Sequence, residues 1–186
     1  EKFEKSKLNK YQYSLIAAVD CTGHGVPGAF MSLIGLNQLY QIVNEKKITT
    51  PAEILHHLNN GIKKALKQEG MDSAKDGMDI AICTIDNSNK ILEYSGAHRP
   101  LYYIRNNELK ETKGNNIAIG GHTKEGYQFT NHQFNFEKGD TIVVILEAVA
   151  VPDLHNLDYP YKADAPRFYA HSACWDGIED GELDHR

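Results

Sequence analysis

The segment from Leu15 to Phe30 constrains this chain more than any other. Leu15-Ile16-Ala17-Ala18-Val19 is an apolar run of strand length, and a helix-like pattern follows from Phe30. Between them lies Asp20-Cys21-Thr22-Gly23-His24-Gly25-Val26-Pro27-Gly28, a turn of low side-chain bulk. A strand must therefore end on a carboxylate, turn tightly through glycines and enter a helix whose first turn accepts Pro27. A rigid strand end beside glycines lets oxygen donors converge, which suits a hard cation or a phosphate. The alternative is a plain strand-to-helix turn in which Asp20 caps the helix.

With 186 residues the chain has room for one domain and a tail. A hydrophobic content of 41% gives it material for an ordinary core. The net charge of −5 argues against a nucleic-acid binder, which needs a basic face. No apolar run approaches the ~20 residues that span a bilayer; the cysteine usage makes the cytoplasm the expected location, either free or as the cytoplasmic part of a membrane-attached protein. Cys21, Cys83 and Cys174 are widely spaced and form no C-x-x-C pair, which points to reduced thiols. The opening Glu1-Lys2-Phe3 lacks a methionine and reads as a cut inside a longer polypeptide.

Tyr11 to Asp20 alternates as a strand with Tyr11, Tyr13, Leu15, Ala17 and Val19 on one face. The next helix carries Phe30, Leu33, Ile34, Leu39, Ile42 and Val43 as an apolar flank. A second helix has Thr50 as N-cap, Pro51 at the first position, Glu53 completing a capping box, and Gly70 as its stop. Its stripe is Ile54, Leu55, Leu58, Ile62 and Leu66, while Lys63, Lys64 and Lys67 read as a solvated face. From Met78 the period becomes that of short strands, with turns at Asp86–Asn89, Asn106-Asn107 and Glu137–Asp140. Antiparallel strands with two amphipathic helices predict an α+β sandwich, helices packed outside the sheets. Residues 151–186 lose the periodicity; His171 and Cys174 have ligand-like spacing there but lack a second pair.

The run Val19 to Ser32 resembles the signature of SpoIIE/RsbU-type bacterial serine/threonine phosphatases, a branch of the metal-dependent PPM family. Asp76-Gly77-Met78-Asp79-Ile80-Ala81, Tyr94-Ser95-Gly96-Ala97-His98-Arg99-Pro100-Leu101, Ile119-Gly120-Gly121 and Lys138-Gly139-Asp140-Thr141-Ile142 follow in the family's order. The resemblance spans about Tyr11 to Ile145. It implies a PPM-like α-β-β-α sandwich, incomplete here, with residues 1–150 as the phosphatase domain and 151–186 as a tail without a match.

The resemblance also implies a chemistry: two Mn²⁺ or Mg²⁺ ions activate a water that dephosphorylates phosphoserine or phosphothreonine proteins. Asp20 matches the metal-bridging carboxylate and the Cys21 backbone carbonyl a second ligand. Gly23 and Gly25 fall in the phosphate-facing turn. His24 could protonate the leaving oxygen or touch phosphate; loop architecture is its other reading. Asp79 interrupts an apolar strand and is expected to be structural, in need of a partner. His98-Arg99 reads as a surface turn, with a phosphate contact as the alternative.

The sequence departs from the family at two places. No Gly-Asp-Phe-Tyr-like segment precedes the first strand, and Glu147-Ala148 stands where Asp-Gly belongs, which makes Glu147 the remaining metal candidate. The abrupt loss of pattern after Val151 looks like a frameshift, a fusion or a diverged end. The implied partners are a phosphoprotein such as an anti-sigma-factor antagonist, an attached sensor or response domain, and a second copy in a homodimer. The reading from another functional class is a catalytically silent module that binds or regulates a partner.

Overall fold

A computed structural model of the chain describes residues 13–68, 75–124, 126–145 and 167–171. The alternating run forms β1 (Tyr13–Cys21), and the glycine turn leads into α1 (Gly25–Tyr40), which continues through a π-helical turn at Gln41–Glu45. Next come α2 (Pro51–Ala65), β2 (Gly77–Asp86), β3 (Ile91–Ala97), β4 (Leu101–Arg105) and β5 (Glu108–Thr112). The short β6 (Ile119–Gly120), β7 (His132–Asn135), β8 (Thr141–Ile145) and β9 (Arg167–His171) complete the described elements.

Two sheets result. The first has the order β1-β2-β3-β7, with β6 also pairing to β2; the second has the order β5-β4-β8-β9. All pairings are antiparallel except β8 with β9. Strand alternation splits β2 between two cores. Met78, Ile80 and Ile82 face the helices with Ile54, Leu55, Leu58 and Ile62 of α2. Ala81, Cys83 and Ile85 face the second sheet, where Leu101, Ile142 and Val144 meet them. Among the described residues both helices cover the first sheet. The mixed α+β architecture with mainly antiparallel sheets is therefore the one expected, and α2 buries Ile54, Leu55, Leu58 and Ile62 of the expected stripe, while Leu66 caps the helix and is only partly buried.

Several local expectations change. Ile34, Leu39, Ile42 and Val43 pack on the helix-side core, but Phe30 and Leu33 do not. They project outward with Val26, Leu36 and Tyr40, each more than half exposed. Gly35 and Met31 are the buried residues of α1, and a Cβ on Gly35 would lie 2.8 Å from the Met78 methyl of β2. Thr50 makes no side-chain cap on α2. Asn131 takes that role from a distant loop, its Oδ1 accepting from the Ala52 N–H at 3.3 Å. Strand β7 covers only four residues of the expected Tyr127–Phe136 segment. In the tail, Arg167–His171 adds an edge to the second sheet that no periodicity announced. Gly70 and Cys174 lie outside the described residues. Among the described residues no helix is long and apolar enough to cross a membrane.

Candidate active-site cleft

A cleft of ≈ 320 Å³ opens at the end of β1 and β2. The strand register builds it, because Asp20 pairs directly with Asp79 and Cys21 with Met78. Two carboxylates facing each other across an antiparallel pair repel unless a cation intervenes. That cation comes from the connection between β3 and β4. Arg99 Nη2 donates to Asp20 Oδ2 at 2.8 Å and lies 3.2 Å from Asp79 Oδ2. Its neighbour His98 sets Nδ1 2.9 Å from Asp79 Oδ1. The backbone turns sharply to deliver both, with His98 at φ 57° in the left-handed region.

The rest of the cleft is held by polar ties. Thr22 Oγ1 accepts from the Gly77 N–H at 3.0 Å and donates to Asp76 Oδ1 at 3.2 Å, which pins the glycine turn to the start of β2. Opposite, Asn116 to Thr123 forms a wall. The buried Asn59 of α2 accepts from the Gly120 N–H at 2.8 Å, and Gln68 Oε1 accepts from the Gly121 N–H at 2.9 Å. Lys63 donates to the Thr123 carbonyl at 2.6 Å. Lys63 is thus a tether for the wall, contrary to its reading as part of a solvated face. Lys75, His98 and His122 bring basic groups to the lining.

The candidate residues separate clearly. Asp20 and Cys21 line the cleft; Gly23, His24 and Gly25 are not among its described lining residues. His24 is instead the exposed N-cap of α1, without a side-chain cap bond. Gly23 and Gly25 take φ values of 88° and 61°, and a Cβ on Gly28 would lie 2.6 Å from the Gly23 carbonyl oxygen. Their bareness serves the turn itself. Burial, with the nearby Asp20 charge adding to it, outweighs the Ser32 hydrogen bond and pushes the Cys21 thiol up. The thiol is therefore a poor metal ligand at neutral pH. Glu147 lies outside the described residues. Asp79 has the partners it required. Arg99, expected on a surface turn, is instead largely buried behind the cleft's two carboxylates and pairs with both.

In donor type, the Asp20 carboxylate and the Cys21 carbonyl fit a divalent ion, since both are hard oxygens. In number they supply one side of a site. Among the described residues no group of three or more His, Cys, Asp or Glu side chains could enclose an ion.

The model of the family described as Stage II sporulation protein E (SpoIIE) matches residues 11–145. The chain belongs to the SpoIIE family. Solved structures agree with that family's fold. The SiaA-PP2C domain of Pseudomonas aeruginosa superposes with a TM-score of 0.59 at 27% identity, covering 70% of this chain and 51% of that one. The RsbU and RsbW domains of a Mycobacterium tuberculosis protein give 0.54 at 18% identity, covering 70% and 35%. The Mycobacterium tuberculosis serine/threonine phosphatase PstP/Ppp gives 0.50 at 17%, covering 71% and 70%. The chain thus spans about half of the SiaA chain it matches. No curated protein matches it in sequence. For this SpoIIE-family chain, the matched segment ends with β8, just before Glu147.

Proposed function

We propose that this chain is the greater part of a metal-dependent protein phosphatase domain acting on phosphoserine or phosphothreonine proteins in bacterial signalling. The observation that carries the reading is the position of Asp20, which lines the cleft one residue before β1 ends at Cys21. In this reading Asp20, the Cys21 carbonyl and Glu147 are the ligands of Mn²⁺ or Mg²⁺. Such ions, when bound, supply an activated water and offset phosphoryl charge. Lys75 and His122 on the lining would attract the substrate's phosphate, and Thr22 keeps the turn in place. Gly23 and Gly25 shape the turn, and His24 stays a candidate proton donor only if α1 moves its first turn toward the cleft. An anti-sigma-factor antagonist is the proposed substrate, as the family resemblance implies. An attached sensor or response domain, a homodimer, a cytoplasmic location and a phosphatase unit at 1–150 belong to the same proposal.

The second reading, a silent phosphatase-like module, draws on the Arg99–Asp20 ion pair, which already occupies one oxygen of that carboxylate. Phosphate release from a phosphoserine-bearing anti-sigma-factor antagonist, with and without Mn²⁺, decides between them. Release by wild type that is lost in Asp20→Ala supports the enzyme. Equal release by the two proteins, or none from either, defeats it.

A further inference from the structure

We infer that Arg99 is the resident counter-ion of Asp20 and competes with a divalent cation for that carboxylate, Asp79 being the residue that keeps the guanidinium in place. This rests on the reading that Asp20 holds such an ion. The register sets Asp20 and Asp79 opposite each other, so the pair needs positive charge whether or not an ion is bound. Arg99 supplies it with its side chain only 17% exposed, while Asp20 remains 40% exposed to arriving ions.

The mode of contact makes the guanidinium displaceable. One nitrogen, Nη2, serves both carboxylates, and Nε has no acceptor among the described residues. A two-nitrogen fork on one carboxylate would be stronger and harder to open. Arg99 also occupies Oδ2, so an ion that needs both oxygens of Asp20 must move it. Asp79 gives the released guanidinium a partner, and His98 fixes the other oxygen of Asp79. Arg99 therefore raises the ion concentration at which Asp20 loads, without touching the reacting atoms.

The test is calorimetric titration of Mn²⁺ into wild type, Arg99→Gln and Arg99→Lys, with Mg²⁺ titration of wild type followed through the Arg99 Nε–H resonance. Arg99→Gln should bind about tenfold more tightly, the scale for removing one unit charge a few ångströms from a divalent ion. Arg99→Lys, which keeps the charge, should stay near wild type, and the Arg99 resonance should move as Mg²⁺ saturates. If wild type binds Mn²⁺ but Arg99→Gln binds no more tightly, or the resonance stays still, the competition is wrong and the phosphatase reading stands. If none of the proteins binds Mn²⁺, both fall together. The wild-type resonance decides the matter even if Arg99→Gln does not fold.

Discussion

Asp20 and Asp79 face each other across the β1–β2 pair, and a single nitrogen of Arg99 lies within 3.2 Å of both carboxylates. The arrangement predicts a measurable coupling. Arg99→Ala should lower stability by about 2 kcal/mol, because it leaves two opposed carboxylates without their cation. In an Asp79→Asn background the same change should cost roughly 1 kcal/mol less, since the repulsion has gone. Urea denaturation of the four proteins gives the cycle; equal losses in both backgrounds would show that Arg99 and Asp79 are not coupled.

Asp140 supplies a pH dependence. Its buried carboxylate accepts from Tyr103 at 2.8 Å, from Arg105 Nε and Nη2 at 2.9 and 2.7 Å, and from the Glu137 N–H at 2.6 Å. Burial opposes the charge, but these hydrogen bonds, led by Arg105, hold the carboxyl below the usual range. A depressed carboxyl contributes stability that is present above its unfolded pKa of about 4 and lost as pH falls through the folded value. Asp140→Asn should cost about 2–4 kcal/mol at pH 7. Its stability should also vary less with pH below about pH 5 than wild type does. Parallel acid profiles for the two proteins would contradict the assignment.

Gly77→Ala tests how tightly the cleft wall is seated. A Cβ at this position would run into the Ile119 carbonyl oxygen, where β6 pairs with β2. Overpacking of this sort costs about 1–3 kcal/mol. Hydrogen exchange should show the Gly120 and Gly121 amides losing protection ahead of the β1–β2 ladder. Unchanged protection there would mean that the wall does not depend on this close approach.

Thiol reactivity separates the described cysteines. Burial pushes the Cys83 thiol up to about 12, whereas Cys21 is only part-buried. In a Cys174→Ser background at pH 8, a thiol reagent should label Cys21 slowly and Cys83 only on unfolding. Fast labelling of both in the native state would contradict the packing between the sheets.

The sequence made legible what periodicity and turn chemistry control. Helix α2 was readable because Ile54, Leu55, Leu58 and Ile62 repeat at helical spacing. The Asn106-Asn107 turn was readable because both residues accept positive φ, and both adopt it, at 53° and 62°. Helix α1 was harder, since its apolar residues lie all round it and period alone does not say which face meets the sheet. Arg99 was out of reach for another reason. Its bond to Asp20 spans 79 positions and depends on the β1–β2 register and on the path of the chain after β3. The interrupted apolar run at Asp79 did signal that some partner had to exist, but not which one.

The residues that neutralise Asp20 and Asp79 also carry the chain from one sheet to the other. Just before β4 begins, the Arg99 carbonyl accepts from Tyr94 in the buried layer between the sheets, while the Arg99 side chain grips the first sheet at its rim. One residue is thus both a charge and a fastener. The rim carboxylates and the buried layer between the sheets are therefore tied to the same residue, one through its side chain and the other through its backbone.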